Sequence, residues 1–359
     1  MASKPLTLLR ELVEIESPTY SPGVRQVAAR MAEELGDLGG TVRILDGDHV
    51  VAELDGAGAP LLLLGHTDTV WQEGTLATMP FRVEDGHAFG PGVYDMKGCL
   101  VLMLEAIRQA PPDRRRALRV FLTADEEQGS RTAREAMAEA ASGVAAALVV
   151  EPPTAKGYLK TARKGLGRFH VAITGKPAHA GTSRADGVSA VEELAHQIIR
   201  LHALTDDERG VSVNVGVVHG GTVENVVAAF ADARLDVRVS QRADLERLER
   251  RLRGLQPVVE GTSIEVDGGW TRPPLERTPE GARLFERARE IGLGLGLDLR
   301  EASSGGGSDA NLVGALGVPV LDGLGAEGRG AHAHDEQIRL DALPVRTSLL
   351  AGLLEDPGL

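Results

Sequence analysis

Three short segments of the chain are apolar over most of their length, and each is followed directly by ionisable residues. They are Leu61–Leu64, Leu118–Thr123 and Ala146–Val150. Strands that are apolar on both faces are typical of parallel strands covered by helices on both sides. Residues 98–109 and 131–140, which lie between these strands, show the apolar spacing of helices. The pattern predicts an α/β sheet with helices on both faces.

The pattern changes after Lys164. Three segments there alternate polar and apolar residues, which indicates a sheet with one solvated face: Arg168–Thr174, Val211–Val217 and Arg234–Val239. Helical patterns at 187–202 and 244–252 and a last strand near 263–266 complete a split βαβ order, which is typical of a ferredoxin-like domain. We therefore predict a larger domain formed by residues 1–162 and 272–359, with a second domain, 163–271, inserted into it.

The overall composition excludes several functional classes. The chain has 359 residues and a formal net charge of −13, so it lacks the basic surface that nucleic acids or anionic membranes require. Its single cysteine, Cys99, excludes an intrachain disulfide. The N-terminal segment is interrupted by acidic residues where a signal peptide would be apolar, and no apolar run reaches the roughly 20 residues that span a bilayer. These features predict a cytoplasmic protein without a nucleic-acid or membrane partner.

Ionisable residues follow each of the three apolar strands. His66 and Asp68 follow the first, residues 125–127 (Asp-Glu-Glu) the second, and Glu151 the third. Ligands of open α/β sheets bind beyond the carboxyl ends of the strands, so we expect these side chains to meet at one edge. Neighbouring carboxylates raise each other's pKa unless a cation neutralises them. A mixed nitrogen and oxygen ligand set favours zinc or a similar ion over calcium.

Seven motifs carry a family resemblance. In chain order they are GHTDTV, GPGVYDMKG, TADEEQGS, VVEP, GKPAHAG, SSGGGSD and GAHAHDE. Together they resemble the dizinc exopeptidase and deacylase family of glutamate carboxypeptidase, acetylornithine deacetylase and succinyl-diaminopimelate desuccinylase, over nearly the whole chain. The segments GTLATMPFRVEDGHAFGPG and TRPPLERTPEG most resemble the glutamate carboxypeptidase branch. The resemblance implies a dizinc exopeptidase-like mixed sheet with helices on both faces and an inserted ferredoxin-like α+β lid, through which the chain forms a homodimer.

The resemblance also implies a metal centre of two Zn2+ ions per chain, with Co2+ or Mn2+ as substitutes. Its implied ligands are His66, Asp95 and Glu151 for one ion, and Asp95, Glu127 and His332 for the other. His334 leaves an alternative open, because a histidine two residues after His332 can replace it or support it. Asp68 is expected to orient His66 through the second ring nitrogen, and the peptide bond after Asp95 is expected to be cis. Three carboxylates and one hydroxide would balance two divalent ions.

The implied catalytic and substrate-binding residues complete the prediction. Glu126 is expected to act as the general base toward a water held by both metals, the alternative being that it only tunes metal affinity. Four residues are implied in substrate binding: Arg272 for a substrate carboxylate, Asn225, His179 for the oxyanion, and Gly306 through its backbone.

These residues predict a zinc-dependent amide hydrolase, a carboxypeptidase that releases a C-terminal amino acid such as glutamate. Its substrate is expected to be a small N-acyl amino acid or short peptide with a free carboxylate. An N-acyl amino-acid deacylase of the acetylornithine or succinyl-diaminopimelate type is the nearest alternative. A non-catalytic amino-acid or peptide binding protein is the alternative from another functional class.

Overall fold

The computed structural model describes residues 4–356 and residue 358. The helices of this part of the chain are Lys4–Glu14 (α1), Pro22–Asp37 (α2), Gly98–Gln109 (α3), Arg134–Ala140 (α4), Ala190–His202 (α5), Ala243–Arg253 (α6), Pro279–Gly294 (α7), Asp309–Ala315 (α8) and Leu343–Leu354 (α9). The strands are Thr41–Ile44 (β1), Val50–Leu54 (β2), Ala57–His66 (β3), Arg82–Glu84 (β4), His87–Phe89 (β5), Arg116–Thr123 (β6), Ala146–Val149 (β7), Leu159–Arg163 (β8), Gly165–Thr174 (β9), Ser212–Gly220 (β10), Phe230–Val239 (β11), Ser263–Arg272 (β12), Glu301–Ser304 (β13), Val320–Leu321 (β14), Gly328–Arg329 (β15) and Gln337–Arg339 (β16). Among the described residues, none of the helices combines the length with the apolar character that a membrane-spanning segment needs.

The chain divides into two compact units, of which the first comprises residues 1–162, 277–304 and 308–359. Its main sheet has the strand order β1-β2-β6-β3-β7-β14. Strand β3 is parallel to both β6 and β7, and β14 is parallel to β7. Strands β1 and β2 form an antiparallel hairpin because only a short turn joins them, and β2 is antiparallel to β6. The predicted parallel strands are therefore the centre of a mixed sheet.

The four leucines of β3 show how the sheet is covered. All four are fully buried, and Leu61 and Leu63 belong to the large core formed with α1, α2, α3, α7 and α9. Because side chains alternate along a strand, Leu62 and Leu64 face the other side, where α8 contacts β3 and α4 contacts α8. A side chain at Gly65 would meet Leu100 and Met96 at 3.1 Å, so close packing continues to the end of the strand.

A small sheet of the first unit was not predicted. Its strand order is β15-β16-β5-β4, and all neighbours are antiparallel. Strands of two or three residues are too short to show a hydrophobic period. This sheet matters for the site, since β5 precedes the loop that contains Asp95 and β16 directly follows the loop that contains His332.

The second unit comprises residues 163–276 and 305–307. Its antiparallel sheet has the order β10-β11-β9-β12, the 2-3-1-4 arrangement of a ferredoxin-like fold, and α5 and α6 contribute to its core. Helix α5 begins later than the predicted residue 187 because the Ser189 side chain accepts a hydrogen bond from the Glu192 N–H and caps it. The unit extends beyond the predicted boundary at 271, since Leu275 pairs with Arg163 through two backbone hydrogen bonds.

Candidate metal centre

The carboxyl ends of three adjacent strands form the base of the site. His66 is the last residue of β3, Glu126 and Glu127 lie in a 3-10 turn that follows β6, and Glu151 follows β7. The three strands are parallel neighbours in the order β6-β3-β7, so their carboxyl ends lie at the same edge. The predicted meeting of these side chains therefore follows from the sheet topology.

Two groups of potential ligands share Asp95. One contains His66, Asp95 and Glu151, the other Asp95, Glu127 and His332, and within each group the ligand atoms lie within 4.8 Å of one another. His66 Nε2 is 3.1 Å from Asp95 Oδ1 and 3.7 Å from Glu151 Oε1. His332 Nε2 is 3.5 Å from Asp95 Oδ2 and also 3.5 Å from Glu127 Oε2. The two carboxylate oxygens of Asp95 thus face different histidines, which is the geometry of a bridging ligand.

The structure distinguishes the two histidines of the GAHAHDE segment. His332 adopts a left-handed backbone conformation with φ of 63°, and its ring nitrogen faces Asp95 and Glu127. The ring of His334 instead lies 5.5 Å from the Trp71 ring. The second ligand group therefore forms with His332, and His334 packs against the indole.

Asp68 lies against the second ring nitrogen of His66, and its backbone carbonyl makes the nearer contact. His66 Nδ1 is 2.9 Å from the backbone carbonyl of Asp68 and 3.4 Å from its carboxylate, so the carbonyl is the nearer partner. The buried carboxylate of Asp68 accepts hydrogen bonds from the Glu126 and Glu127 N–H groups, each at 3.1 Å, and from Thr19 Oγ1 at 2.7 Å. Asp68 thus links the end of β3 to the glutamate turn that follows β6, and this linkage was not predicted.

Burial and the proximity of histidines to carboxylates shift several pKa values in the site. Burial opposes the protonation of His66, but Asp68 and Asp95 outweigh it and raise the His66 pKa well above its ordinary value. Asp95 and Glu127 raise the pKa of His332 to about 10. Burial would raise the pKa of Asp95, but the two histidines hold it well below its usual range. Burial raises the pKa of Glu127. In the metal-free protein the carboxylates therefore favour the protonated forms of both histidines.

The donor set fits metal ions. The buried Oε1 atom of Glu127 has no hydrogen-bond partner among the described residues, and an uncompensated carboxylate oxygen is costly to bury. The available ligands are imidazole nitrogens and carboxylate oxygens, which suit Zn2+ and similar divalent transition metals. The peptide bond between Asp95 and Met96 is cis, as expected from the resemblance.

The predicted substrate-binding residues all lie in the second unit. His179 and Asn225 are exposed and adjacent, since the Ala180 N–H donates to the Asn225 carbonyl and His179 pairs with Val226. Arg272 is buried at the end of β12. The Gly306 carbonyl accepts a hydrogen bond from Arg163.

One buried residue beside the ligands was missed. The Glu336 carboxylate, the last acid of GAHAHDE, binds the backbone of the loop that contains Asp95. The only signal in the sequence is an acidic residue directly before the short strand β16, and exposed loop acids show the same pattern.

Comparison with known proteins identifies the family. A family model described as peptidase family M20/M25/M40 matches residues 62–356. The chain belongs to this family. It is therefore a metallohydrolase, and the two ligand groups lie within the matched region.

Individual relatives are similar to this chain over nearly its full length. Carboxypeptidase G2 of Pseudomonas sp. (strain RS-16) is 31% identical over 98% of this chain and 88% of its own length. Succinyl-diaminopimelate desuccinylase of Stenotrophomonas maltophilia (strain R551-3) is 26% identical over 95% of this chain and 96% of its own. A tripeptidase structure from Staphylococcus aureus superposes with a TM-score of 0.81 at 23% identity, covering 98% of this chain and 97% of that one. The last similarity supports the fold.

Proposed function

We propose that this M20 hydrolase is a zinc-dependent carboxypeptidase that releases a C-terminal amino acid such as glutamate from a peptidyl or N-acyl substrate. The observation that carries the proposal is the pair of ligand groups that share Asp95, one oxygen toward each histidine. His66 and Glu151 would hold one divalent ion with Asp95, and Glu127 and His332 the other. When bound, two such ions supply Lewis acidity and a water acidic enough to act as a nucleophile near neutral pH.

Glu126 is the proposed general base. It lies beside the ligand Glu127 in a turn held by the Asp68 carboxylate, and it is 7% exposed. A carboxylate in this position takes a proton from the attacking water and passes it to the departing amine nitrogen. The alternative, in which Glu126 only tunes metal affinity, predicts a change in metal binding and no direct effect on turnover.

Substrate recognition is assigned to the second unit. A guanidinium suits bidentate pairing with a carboxylate, and we assign Arg272 to the free carboxylate of the substrate. His179 Nδ1 accepts hydrogen bonds from the Gly181 and Thr182 N–H groups at 3.1 and 3.2 Å. The neutral ring therefore carries its proton on Nε2, which makes it a donor suited to an oxyanion. Asn225 and the Gly306 backbone are proposed as further substrate contacts.

The identity of the departing amino acid separates the carboxypeptidase from a deacylase. The similarity to carboxypeptidase G2 supports the first, and that to the desuccinylase supports the second. Both reactions break an amide bond next to a free carboxylate, so the same site serves either.

A homodimer through residues 163–271 stays a prediction. It is supported by the exposed apolar side chains of Val217, Val218 and Ile199 in this unit. Sedimentation velocity can check it.

The test is a substrate panel with the Glu126→Gln variant. N-acyl glutamates, folate-type glutamate conjugates, dipeptides, acetylornithine and succinyl-diaminopimelate are compared at equal concentration. We expect cleavage of the glutamate conjugates, and Glu126→Gln should lower kcat by about 10²- to 10⁴-fold at unchanged metal content. The exposed Glu135→Gln serves as the control and should keep full activity. Cleavage of only the last two substrates contradicts the carboxypeptidase, and a Glu126→Gln variant with full kcat contradicts the general base.

A further inference from the structure

The carboxylate of Glu336 is fully buried and has four hydrogen-bond donors around it. Oε1 accepts from the N–H groups of Tyr94 at 2.9 Å and Asp95 at 3.0 Å. Oε2 accepts from the Gly92 N–H at 2.8 Å and from Trp71 Nε1 at 2.7 Å. Because every partner is a donor, the site matches an acceptor-only carboxylate and would oppose the NH2 group of a carboxamide.

These hydrogen bonds join the segment that contains Asp95 to the loop that contains His332. Glu336 lies four residues after His332, directly before β16, and it binds the backbone of Asp95, which follows β5. Strands β5 and β16 are paired, so the two loops leave the small sheet side by side. The Glu336 carboxylate connects them again, at the backbone N–H of Asp95. His332 has a left-handed backbone conformation, which a residue other than glycine adopts only at a cost, so the shape of its loop depends on support from its surroundings.

We propose that Glu336 is a positioning residue that holds Asp95 and His332 in the geometry of the metal centre before the ions bind. This inference rests on the proposed metal-dependent function. The four hydrogen bonds that the Glu336 carboxylate accepts, here called the clamp, are also present in the metal-free protein. Outer partners that orient ligands commonly change metal affinity by about 10- to 100-fold when they are lost. A merely structural Glu336 would lower stability without changing how the centre binds metal.

A matched control separates these two roles. Glu193, in the second unit, is also a fully buried carboxylate, and it accepts hydrogen bonds from the N–H groups of Val258 at 2.8 Å and Val259 at 2.6 Å. Glu336→Gln and Glu193→Gln make the same chemical change at two buried carboxylates that bind backbone. Both are expected to lower the melting temperature of the metal-free protein.

The decisive measurements are hydrogen exchange of the metal-free protein and Co2+ binding. In Glu336→Gln we expect faster exchange at Gly92, Tyr94 and Asp95, Co2+ binding weakened by about 10- to 100-fold, and an altered visible absorption spectrum of the bound Co2+. Glu193→Gln should bind Co2+ like the natural chain. Unchanged Co2+ affinity and spectrum in a folded Glu336→Gln variant would overturn the proposal.

Two further outcomes also decide the question. If Glu336→Gln does not fold, Glu336→Asp keeps the charge but shortens the reach, and it should still weaken Co2+ binding about tenfold. Unchanged affinity in that variant overturns the proposal. If the natural chain binds no Co2+, the proposed function fails, whereas the exchange rates at Gly92, Tyr94 and Asp95 still show whether the clamp exists.

Discussion

Replacing Asp68 with asparagine tests how the two ligand groups are held. The Asp68 carboxylate accepts from the Glu126 and Glu127 N–H groups and from the Thr19 hydroxyl, and it is 1% exposed. An asparagine has nearly the same shape but turns one oxygen into a donor. Whichever way the amide is placed, at least one N–H of the glutamate turn then faces another donor.

The expected cost follows from these contacts. A hydrogen bond to a charged group contributes about 1.5–3 kcal/mol, and a buried N–H without a partner costs about 1–3 kcal/mol. The two effects overlap, so Asp68→Asn should lower the free energy of unfolding by about 2–4 kcal/mol. Displacing Glu127 should also weaken metal binding by the group that contains Glu127 and His332, by about tenfold for each 1.4 kcal/mol.

The metal affinity of the other ligand group, which contains His66 and Glu151, should change less. The nearest partner of His66 Nδ1 is the backbone carbonyl of Asp68, which the substitution keeps. Calorimetric titration with Co2+ should therefore show one site close to its natural affinity and one site weakened. Thr19→Val, which removes one donor and leaves both glutamate N–H bonds, should have a smaller effect. Equal weakening of both sites, or no weakening of either, would refute this interpretation of Asp68.

Three other predictions concern the histidines. His332→Ala should lose one of two bound ions and most of the activity. His334→Ala should keep both ions, because the His334 ring contacts Trp71. Elemental analysis of the metal content distinguishes the two variants. Because the pKa of His332 in the metal-free protein is raised to about 10, metal binding near pH 7.5 should release about one proton or more, as measured by calorimetry in buffers of different ionisation enthalpy. The raised pKa of His332 also stabilises the metal-free fold fully below about pH 6.5 and progressively less as the pH rises toward 10. Over that interval the chelated protein should therefore lose more melting temperature than the metal-loaded protein, and an equal change in both forms contradicts the assignment.

Much of the fold follows from local sequence patterns. The helix predicted at 98–109 is Gly98–Gln109, and the apolar strands are the parallel centre of the main sheet. The order of alternating strands and helices after Lys164 also predicts the ferredoxin-like topology. These elements are long enough for their hydrophobic period to be recognised. The small sheet with β5 and β16 is too short for this.

Only some residues of the candidate site can be predicted from local sequence patterns. His66 and Glu151 follow parallel strands, so topology alone brings them to one edge. Asp95 lies in the irregular helical turn Val93–Lys97 and His332 in a loop, and it was the family resemblance that assigned both to the same centre. The contacts of Asp68 and Glu336 depend on how backbone N–H groups of distant loops are oriented, and no local pattern contains that information.

Anomalous X-ray diffraction from zinc-loaded crystals, recorded at the zinc absorption edge, tests the shared metal centre most directly. We predict two anomalous peaks per chain, one next to His66 and Glu151 and one next to Glu127 and His332, with Asp95 in contact with both. A single peak, or two peaks that do not share Asp95, would contradict it.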